Sequence, residues 1–510
     1  MDQDAIFVGG GGEGYGVPQL LLLKYGNRHG LIAGATGTGK TVTLQILAEG
    51  FSDAGVPVFM ADVKGDLAGI AKAGSPEGKL HDAFMKRAAT IGLDLKYSDH
   101  PVVFWDLFGE QGHPIRTTVS EMGPLLLARL MELSEPQEGV LNIAFRIADE
   151  EGLPLLDLKD LQAMLVWVGQ HAAEIGLRYG NVSPATVGAI QRQLLVLENQ
   201  GGDRLFGEPA LDLADMMTLA ADGRGRVNVL ASDKLMASPR LYATFLLWLL
   251  SELFEELPEV GDPDKPKFVF FFDEAHLLFD GAPKALVDKV EQVARLIRSK
   301  GVGVFFITQN PADVPDDILG QLGNRVQHAL RAFTAKDQKD LARAAQNYRP
   351  NPRFSTEDAI REVGTGEAVT SFLEAKGVPG MVERTLVRPP SGQLGPITPE
   401  ERRQIIAGSG LSAKYDRTVD RDSAFEMLAA RADAAAKAAA EEEARQSRMA
   451  EEERVLRQAR RYDGAAARKS SSGRSDSVVE TFGKSLARQL GTRTGQALVR
   501  GILGSLFKSR

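Results

Sequence analysis

The amino-acid sequence predicts an α/β protein with a largely parallel sheet, an inserted all-α subdomain and a helical C-terminal tail. Three observations predict this fold. An apolar run, a glycine-rich loop and an amphipathic segment follow one another at residues 31–47, in the order strand, loop, helix. Five apolar residues at 268–272 describe a strand buried on both faces of a parallel sheet. Between these regions, residues 120–223 place Leu, Ile and Met at helical spacing.

The glycine-rich loop at residues 34–41 reads Gly-Ala-Thr-Gly-Thr-Gly-Lys-Thr, which fits the phosphate-binding motif G-x-x-x-x-G-K-[ST]. Its glycines permit the backbone angles with which successive N–H groups surround a phosphate, and the following helix directs its positive end at the same charge. Lys40 is expected to reach the β- and γ-phosphates, and the Thr41 hydroxyl to ligate Mg²⁺. The expected cofactors are therefore ATP and Mg²⁺. The residues expected to contact the nucleotide are Gly34, Ala35, Thr36, Gly37, Thr38, Gly39, Lys40, Thr41 and Val42.

The apolar strand at 268–272 ends in the acidic pair that a phosphate-binding loop needs. Asp273 emerges at the carboxyl end of the strand, where ligands of open α/β sheets bind. We expect it to hold the Mg²⁺ that Thr41 ligates, and we expect Glu274 to polarise the attacking water. The alternative interpretation is an acidic surface pair that follows a core strand.

A further apolar strand at 302–307 ends in Thr308 and Gln309. A polar pair at the end of a strand beside the acidic strand can sense the γ-phosphate or position water, and we assign this role to Gln309. The alternative is a capping threonine followed by a solvated glutamine.

Together these motifs resemble the HerA-type ATPases of the FtsK–HerA superfamily. The resemblance rests on Asn-Arg-His-Gly at 27–30, Asp-Glu-Ala-His at 273–276 and Thr-Gln-Asn-Pro at 308–311. The chain is most similar to a bacterial helicase-like branch of that superfamily. The segments typical of this branch are residues 63–66, 104–107 and 116–118.

The resemblance implies a RecA-like P-loop core that assembles into a ring, expected to be a hexamer, with each ATP site completed by an arginine of the neighbouring subunit. Arg298, Arg325 and Arg331 are the candidates for this arginine, with Arg325 expected to start a strand and Arg331 to end it. Each of them can instead be an ordinary surface ion-pair partner. Members of the superfamily act on DNA or in secretion, so the expected partners are double-stranded DNA and a nuclease or other protein.

Two other motifs lead to rejected interpretations. The string at 273–276 also occurs in superfamily 2 RNA helicases, but the sequence has no second RecA-type domain and no downstream Gln-x-x-Gly-Arg-x-Gly-Arg motif. Residues 9–14 formally fit G-x-G-x-x-G, but Val17 and Pro18 follow instead of a helix. We therefore predict a flexible loop there, not a dinucleotide site.

The composition shifts along the chain predict six segments. They are a strand-and-loop lead-in (1–25), the first half of the ATPase core (26–119), the helical insertion (120–225), the second half of the core with a β-hairpin (226–398), a charged helical extension (399–462) and a linker with a basic amphipathic C-terminal segment (463–510). The last segment can pack on another subunit, which we favour, or lie on an anionic membrane surface.

The overall composition limits the chemistry. The chain has no cysteine, which excludes disulfides, thiolate zinc sites, iron–sulfur clusters and cysteine nucleophiles. The acidic N-terminus lacks the pattern of a signal peptide, so we expect a cytoplasmic protein. A net charge of −8 argues against a generally basic nucleic-acid binder but permits a local basic channel. The predicted function is an ATP-hydrolysing ring motor that translocates or remodels DNA. The alternative is a DNA-independent ATPase that acts on a protein assembly or a membrane-linked complex through its C-terminal tail.

Overall fold

The computed structural model describes residues 4–280 and 284–463. The chain divides into two units, Met1–Arg431 and Ala432–Arg510. The first unit is built around one 12-stranded sheet. Its strands are β1 (Ala5–Gly11), β2 (Val17–Leu22), β3 (Gly30–Ala33), β4 (Val58–Asp62), β5 (Val102–Asp106), β6 (His113–Pro114), β7 (Val227–Ala231), β8 (Phe268–Phe272), β9 (Val302–Thr308), β10 (Asn324–Gln327), β11 (Glu367–Ser371) and β12 (Glu383–Val387).

The helices of the described chain fall into three groups. In the first half of the core they are α1 (Lys40–Asp53) and α2 (His81–Thr90). Within the proposed insertion they are α3 (Val119–Leu130), α4 (Glu135–Glu150), α5 (Leu158–Gln170), α6 (Ala172–Tyr179), α7 (Pro184–Leu197), α8 (Asp203–Leu205) and α9 (Leu213–Met216). The remaining helices are α10 (Pro239–Glu256), α11 (His276–Phe279), α12 (Lys284–Leu296), α13 (Asp316–Leu319), α14 (Ala335–Gln346), α15 (Thr356–Glu362), α16 (Pro399–Gly408), α17 (Ser412–Tyr415) and α18 (Ala424–Asp463).

The sheet confirms the predicted α/β class with largely parallel strands. Its order is β2-β1-β12-β11-β10-β3-β9-β8-β4-β7-β5-β6. All pairings from β10 to β6 are parallel, whereas those from β2 to β10 are antiparallel. The carboxyl ends of β3, β9, β8, β4, β7 and β5 therefore lie along one edge of the sheet, where α/β proteins bind ligands.

The central strands are buried on both faces, which explains their continuous apolar runs. Alternate residues of β8 enter two different clusters of buried side chains. Phe270 and Phe272 pack with α10 and the insertion helices, whereas Val269 and Phe271 pack with α1. The sheet thus separates two cores, and α1 is held against one face of it.

The prediction of a flexible loop at residues 9–14 is wrong for its first three glycines, because Gly9, Gly10 and Gly11 belong to β1. A Cβ at Gly9 would lie 2.2 Å from the carbonyl oxygen of Leu386, and one at Gly10 would lie 2.0 Å from that of Tyr15. These glycines permit a close backbone approach within the sheet; they do not mark a loop.

The segment predicted as a charged extension from residue 399 begins as part of the core. Tyr415 is fully buried, and its hydroxyl donates a hydrogen bond to Asp215 at 2.5 Å. The start of α18 is also buried, at Ala424 and Leu428. The exposed part of that helix follows in the second unit, where residues 433–457 are exposed. The predicted linker and basic amphipathic segment lie outside the described residues, apart from residue 463. None of the described helices is both long and apolar enough to cross a membrane.

Candidate active site

The glycine-rich loop and the acidic pair meet in one cavity of about 290 Å³ at the carboxyl edge of the sheet. Lys40 and Thr41 line it from the start of α1, and Asp273 and Glu274 line it from the end of β8. β9 pairs with both β3 and β8, so the ends of these two strands are close although they are far apart in the sequence. The structure thus brings together the residues predicted to bind phosphate, to bind metal and to activate water.

The loop adopts the backbone conformation that its glycines permit. The φ angles of Gly34, Gly37 and Gly39 are 150°, 78° and 123°. A Cβ at Gly34 would also lie 2.5 Å from the Cβ of His328, so this position requires glycine for two reasons. α1 begins at Lys40 without a side-chain cap from Gly39, which leaves its first N–H groups available to an anion.

The ammonium group of Lys40 bends back over the loop. Its Nζ donates hydrogen bonds to the carbonyl oxygens of Gly34 at 2.6 Å and Ala35 at 3.2 Å. Burial lowers the pKa of Lys40, while the carboxylates of Glu274 and Asp273 oppose that shift. A phosphate in the cavity would likewise favour the charged form of this lysine.

The buried side chain of His328, at the end of β10, supports the loop from the neighbouring strand. Its Nε2 lies 2.8 Å from Thr43 Oγ1 and its Nδ1 lies 2.8 Å from the carbonyl oxygen of Glu367. Burial lowers the pKa of His328 to about 4, so the ring is neutral at pH 7. Since a carbonyl can only accept, we assign the proton to Nδ1, and Nε2 then accepts from the threonine. The next residue, Ala329, accepts a backbone hydrogen bond from Ala35 at 2.8 Å.

The acidic pair forms a strained turn. Glu274 has a φ of 49°, in the left-handed region that non-glycine residues rarely adopt. Its N–H donates to Asp273 Oδ1 at 2.9 Å, and the hydroxyl of buried Tyr242 donates to the Asp273 carbonyl at 2.9 Å. These two bonds hold the turn, and a strained residue so held is typical of functional sites.

The electrostatics of the pair favour a cation. Burial raises the pKa of Asp273 to about 7, and the neighbouring charge of Glu274 adds to the effect. Glu274 Oε2 is buried without a hydrogen-bond partner, and the ring nitrogen Nδ1 of His276 lies 3.4 Å from it. The oxygens of Asp273 and of the Thr41 hydroxyl are hard donors of the kind that Mg²⁺ prefers. The residues present therefore fit a magnesium ion.

A second wall of the cavity, which we define as the segments 64–67 and 394–395, includes Lys64 and Leu394. The chain that leads to residue 394 is bound to α1 through Glu49, whose side chain is fully buried. The Glu49 carboxylate accepts hydrogen bonds from Arg388 Nη1 at 3.1 Å and from the N–H groups of Ser391 at 3.0 Å and Gly392 at 2.9 Å. The same helix therefore positions the phosphate-binding loop and supports the second wall.

Gln309 follows the end of β9 and is exposed. It is not among the described residues that line the cavity, whereas Ile307 of the same strand is. The side chain of Thr308 is buried and donates to Asp313 Oδ2 at 2.8 Å. Thr308 thus stabilises the turn that follows β9. Gln309 is exposed and can contact a ligand or a neighbouring subunit.

The three candidate arginines have different surroundings. The guanidinium of Arg325 donates to three backbone carbonyl oxygens, those of Leu322 at 2.9 Å, Asn347 at 3.1 Å and Leu319 at 2.8 Å. Arg298 is bound to Asp262 at 3.2 Å. Arg331 was expected to end a strand, but β10 ends at Gln327, so Arg331 lies in the segment that follows. Arg331 is exposed, and within the described part of the chain its guanidinium has no hydrogen-bond or ion-pair partner.

Sequence reasoning missed Tyr242, His328 and Glu49. A tyrosine within an apolar helix and a glutamate within α1 give no local signal of a role, because their partners are distant in the sequence. His328 directly follows a short strand at its carboxyl end, and that position was the one available signal.

A parallel sheet with a glycine-rich loop after one strand and an acidic pair after another, both opening into one cavity, defines a P-loop ATPase. Within that class the chain belongs to the HerA-like helicase family, because residues 12–510 match the family described as Helicase HerA-like C-terminal. No curated protein matches the chain.

Several solved structures are similar in fold. The bacterial conjugative coupling protein TrwB in its unbound monoclinic form is 14% identical, with 78% of this chain and 92% of that chain covered and a TM-score of 0.48. VirB4 of Thermoanaerobacter pseudethanolicus is 16% identical, with 76% and 97% covered and a TM-score of 0.46.

Proposed function

We propose that this protein is a Mg²⁺-dependent ATPase that assembles into a ring, expected to be hexameric, and moves on double-stranded DNA. The observation that supports hydrolysis is the convergence of Lys40, Thr41, Asp273 and Glu274 on one cavity. Phosphoryl transfer to water requires a phosphate-binding loop, a cation, oxygens that bind the metal and a carboxylate that activates the water.

Each residue of the cavity has a proposed role. The loop N–H groups and Lys40 bind the β- and γ-phosphates. Thr41 and Asp273 would hold Mg²⁺, which supplies positive charge to the phosphate oxygens when it is bound. Glu274 orients a water molecule for attack on the γ-phosphate and accepts its proton. Glu274 Oε2 supports this assignment, because it is a buried acceptor without a hydrogen-bond partner, and the ring nitrogen Nδ1 of His276 lies 3.4 Å from it.

The proposed DNA contact lies in the segment that follows β10. Phe333 is 82% exposed, and Lys336, three residues further on, is exposed as well. An exposed aromatic ring near a cation can contact the backbone of duplex DNA, since the cation meets a phosphate and the ring packs on a sugar. This segment starts at His328, whose ring bonds to Thr43 of α1, and at Ala329, whose carbonyl accepts from Ala35 of the phosphate-binding loop, so the nucleotide state can be transmitted to it.

The test is ATP hydrolysis by the purified oligomer with and without long double-stranded DNA. We expect DNA to stimulate turnover several-fold and the stimulation to weaken steeply with salt. Glu274→Gln should bind ATP but hydrolyse it at least about 100-fold more slowly, and Lys40→Ala should lose nucleotide binding. Survival of turnover in Glu274→Gln would contradict the proposed chemistry.

Phe333→Ala tests the DNA contact through the ratio of turnover with and without DNA. Leu177→Ala is the matched control, because Leu177 is 93% exposed on an insertion helix. Loss of stimulation in the first variant alone supports the contact. If the wild type hydrolyses ATP rapidly and at the same rate with and without DNA, the alternative is favoured, an ATPase that acts on a protein assembly.

A further inference from the structure

We propose that Lys64 is a second cationic residue of the phosphate site and contacts the γ-phosphate from within the same subunit. This inference rests on the proposed ATP site and deepens it. Lys64 is in neither the phosphate-binding motif nor the acidic strand, and it lines the cavity that contains both.

The position of Lys64 follows from the order of the strands. β4 pairs in parallel with β8, and Met60 lies opposite Phe271. Continuing this register brings Asp62, at the end of β4, level with Asp273. The segment that follows Asp62 therefore leaves the sheet beside the acidic pair, and Lys64 is two residues into it.

The loop that carries Lys64 has a defined shape. Asp62 is 1% exposed, and its Oδ1 accepts a hydrogen bond from the N–H of Leu67 at 3.3 Å, which closes the loop. Gly65 has a φ of 73°, so the chain turns sharply directly after Lys64. Asp62 acts as a positioning residue, since it fixes the loop from which Lys64 extends.

The loop is also held by the other half of the second wall. A Cβ at Gly69 would lie 2.3 Å from the carbonyl oxygens of both Gln393 and Gly395. The N–H of Gln393 donates to the carbonyl of Lys72 at 2.7 Å. This close packing joins the Lys64 loop to the chain that Glu49 binds to α1, so the position of the Lys64 backbone is tied to the phosphate-binding loop.

The ammonium group of Lys64 is available to a ligand. Lys64 is exposed, and no hydrogen bond or ion pair occupies its Nζ among residues 4–280 and 284–463. Lys40, by contrast, donates to two loop carbonyls.

The γ-phosphate is the group that such a cation would meet. Glu274 is expected to hold the attacking water next to that phosphate, and Lys64 reaches the cavity from the strand beside the one that ends in the acidic pair. A flexible lysine binds phosphate as a point charge and can follow the γ-phosphoryl group as charge develops on it.

The test compares Lys64→Ala with the matched control Lys86→Ala, which removes an exposed lysine of α2 outside the cavity. Affinities for fluorescent mant-ATP and mant-ADP are measured in the Glu274→Gln background, where hydrolysis is slow. We expect Lys64→Ala to weaken mant-ATP binding about tenfold, or about 1.4 kcal/mol, and mant-ADP binding less than about twofold. In protein that keeps Glu274, the Lys64→Ala substitution should lower kcat/KM for ATP about 10- to 100-fold. Lys64→Arg should restore part of that loss.

Unchanged mant-ATP affinity and turnover in Lys64→Ala would overturn the inference while leaving the proposed ATPase intact. An equal loss of affinity for mant-ATP and mant-ADP would also overturn it, because the contact would then not be to the γ-phosphate. If the wild type and the Lys86→Ala control bind neither nucleotide, the proposed function fails and this inference fails with it.

Discussion

At the scale of single residues, the turn at Asp273 and Glu274 depends on a side chain from another helix. The Tyr242 hydroxyl donates to the Asp273 carbonyl at 2.9 Å, and Glu274 holds a φ of 49° in the next position. Non-glycine residues remain in such a conformation when the surrounding structure imposes it. Tyr242 is therefore a positioning residue for the proposed water-activating carboxylate.

We predict that Tyr242→Phe lowers kcat about 3- to 30-fold with little change in the KM for ATP, because the turn loses its fixed geometry while the phosphate-binding loop is untouched. Stability should fall by about 1 kcal/mol, the usual effect of one buried hydrogen bond. Steady-state kinetics and urea unfolding measure the two effects. The prediction is wrong if kcat is unchanged, and Phe245→Leu, on the same buried helix, controls for general loss of packing.

The sequence predicted some residues of the site and not others for physical reasons. Lys40 and Thr41 belong to a contiguous motif, and the acidic pair follows a strand whose apolar run is evident. Tyr242 and His328 act through bonds to residues far away in the chain, which neither spacing nor composition reveals. Arg331 was placed at a strand end because apolar residues continue past Gln327, yet the β ladder stops at Gln327.

At the scale of elements, α1 links the loop to the second wall through a buried charge. Glu49 accepts three hydrogen bonds from the segment 388–392 and one from Gln45 Nε2 at 3.2 Å. If the carboxylate were removed, the N–H groups of Ser391 and Gly392 would lose their acceptor, whereas Arg388 Nη1 and Gln45 Nε2 would each keep one backbone carbonyl. A buried ion pair of this kind is costly to break from one side.

We predict that Glu49→Ala lowers the free energy of unfolding by about 3–5 kcal/mol and that Glu49→Gln lowers it by less, because the amide keeps one acceptor. The KM for ATP should rise in Glu49→Gln, since the second wall loses part of its attachment to α1. Urea unfolding and steady-state kinetics check this. Glu77→Ala, at an exposed position, should change neither quantity.

Glu252 in α10 gives a prediction about pH. Burial and the nearby charges of Glu121, Glu255 and Glu256 raise its pKa to about 7 in the folded protein, above its ordinary value of 4.5. Above pH 7 the folded protein must hold an unfavourable charge there, whereas below pH 4.5 the group is neutral in both states and costs nothing. The stability deficit therefore appears as the pH rises from 4.5 to 7.

Glu252→Gln should therefore stabilise the protein at pH 8 by about 1 kcal/mol, a value reduced because the side chain is partly exposed to solvent. The gain should shrink toward zero at pH 4.5. Thermal or urea unfolding at several pH values measures it, with exposed Glu259→Gln as the control. An equal gain at all pH values would point to a cause other than this ionisation.

The elements themselves were predicted better than their contacts. Strands such as β8 and β9 have clear apolar patterns, and both were predicted. The glycine run in β1 was assigned to a loop because glycine is usual in loops, but here it permits close packing against β12. Tyr415 lies in a charged segment, so its burial depends on a tertiary contact that the local sequence does not indicate.

At the scale of the whole molecule, the surroundings of the three candidate arginines favour Arg331 as the residue that completes a neighbour's ATP site. Arg325 binds three backbone carbonyls of its own subunit and Arg298 binds an aspartate. Arg331 is exposed in the same segment as Phe333. An arginine supplied in trans can raise the rate of hydrolysis by about 10³–10⁵.

We predict that Arg331→Ala and Lys40→Ala are each nearly inactive and that mixing them restores part of the activity. In a mixed ring, an intact Lys40 site can face an intact Arg331 of the neighbouring subunit. ATP hydrolysis after co-assembly of the two variants measures this. Arg361→Ala, which removes an exposed arginine paired within α15, should remain active alone. Absence of recovery in verified mixed oligomers would count against a finger in trans.

The second wall has a consequence for the order in which the protein becomes competent during synthesis. The phosphate-binding loop leaves the ribosome early, yet the cavity also needs the acidic pair and the chain at 394–395, and β1 needs β12 as its partner. Domains fold during translation as their parts become available. A nascent chain that stops before residue 383 should therefore lack part of the cavity wall and the strand that pairs with β1. We expect ATP binding to mature only after the chain has been made as far as residue 395.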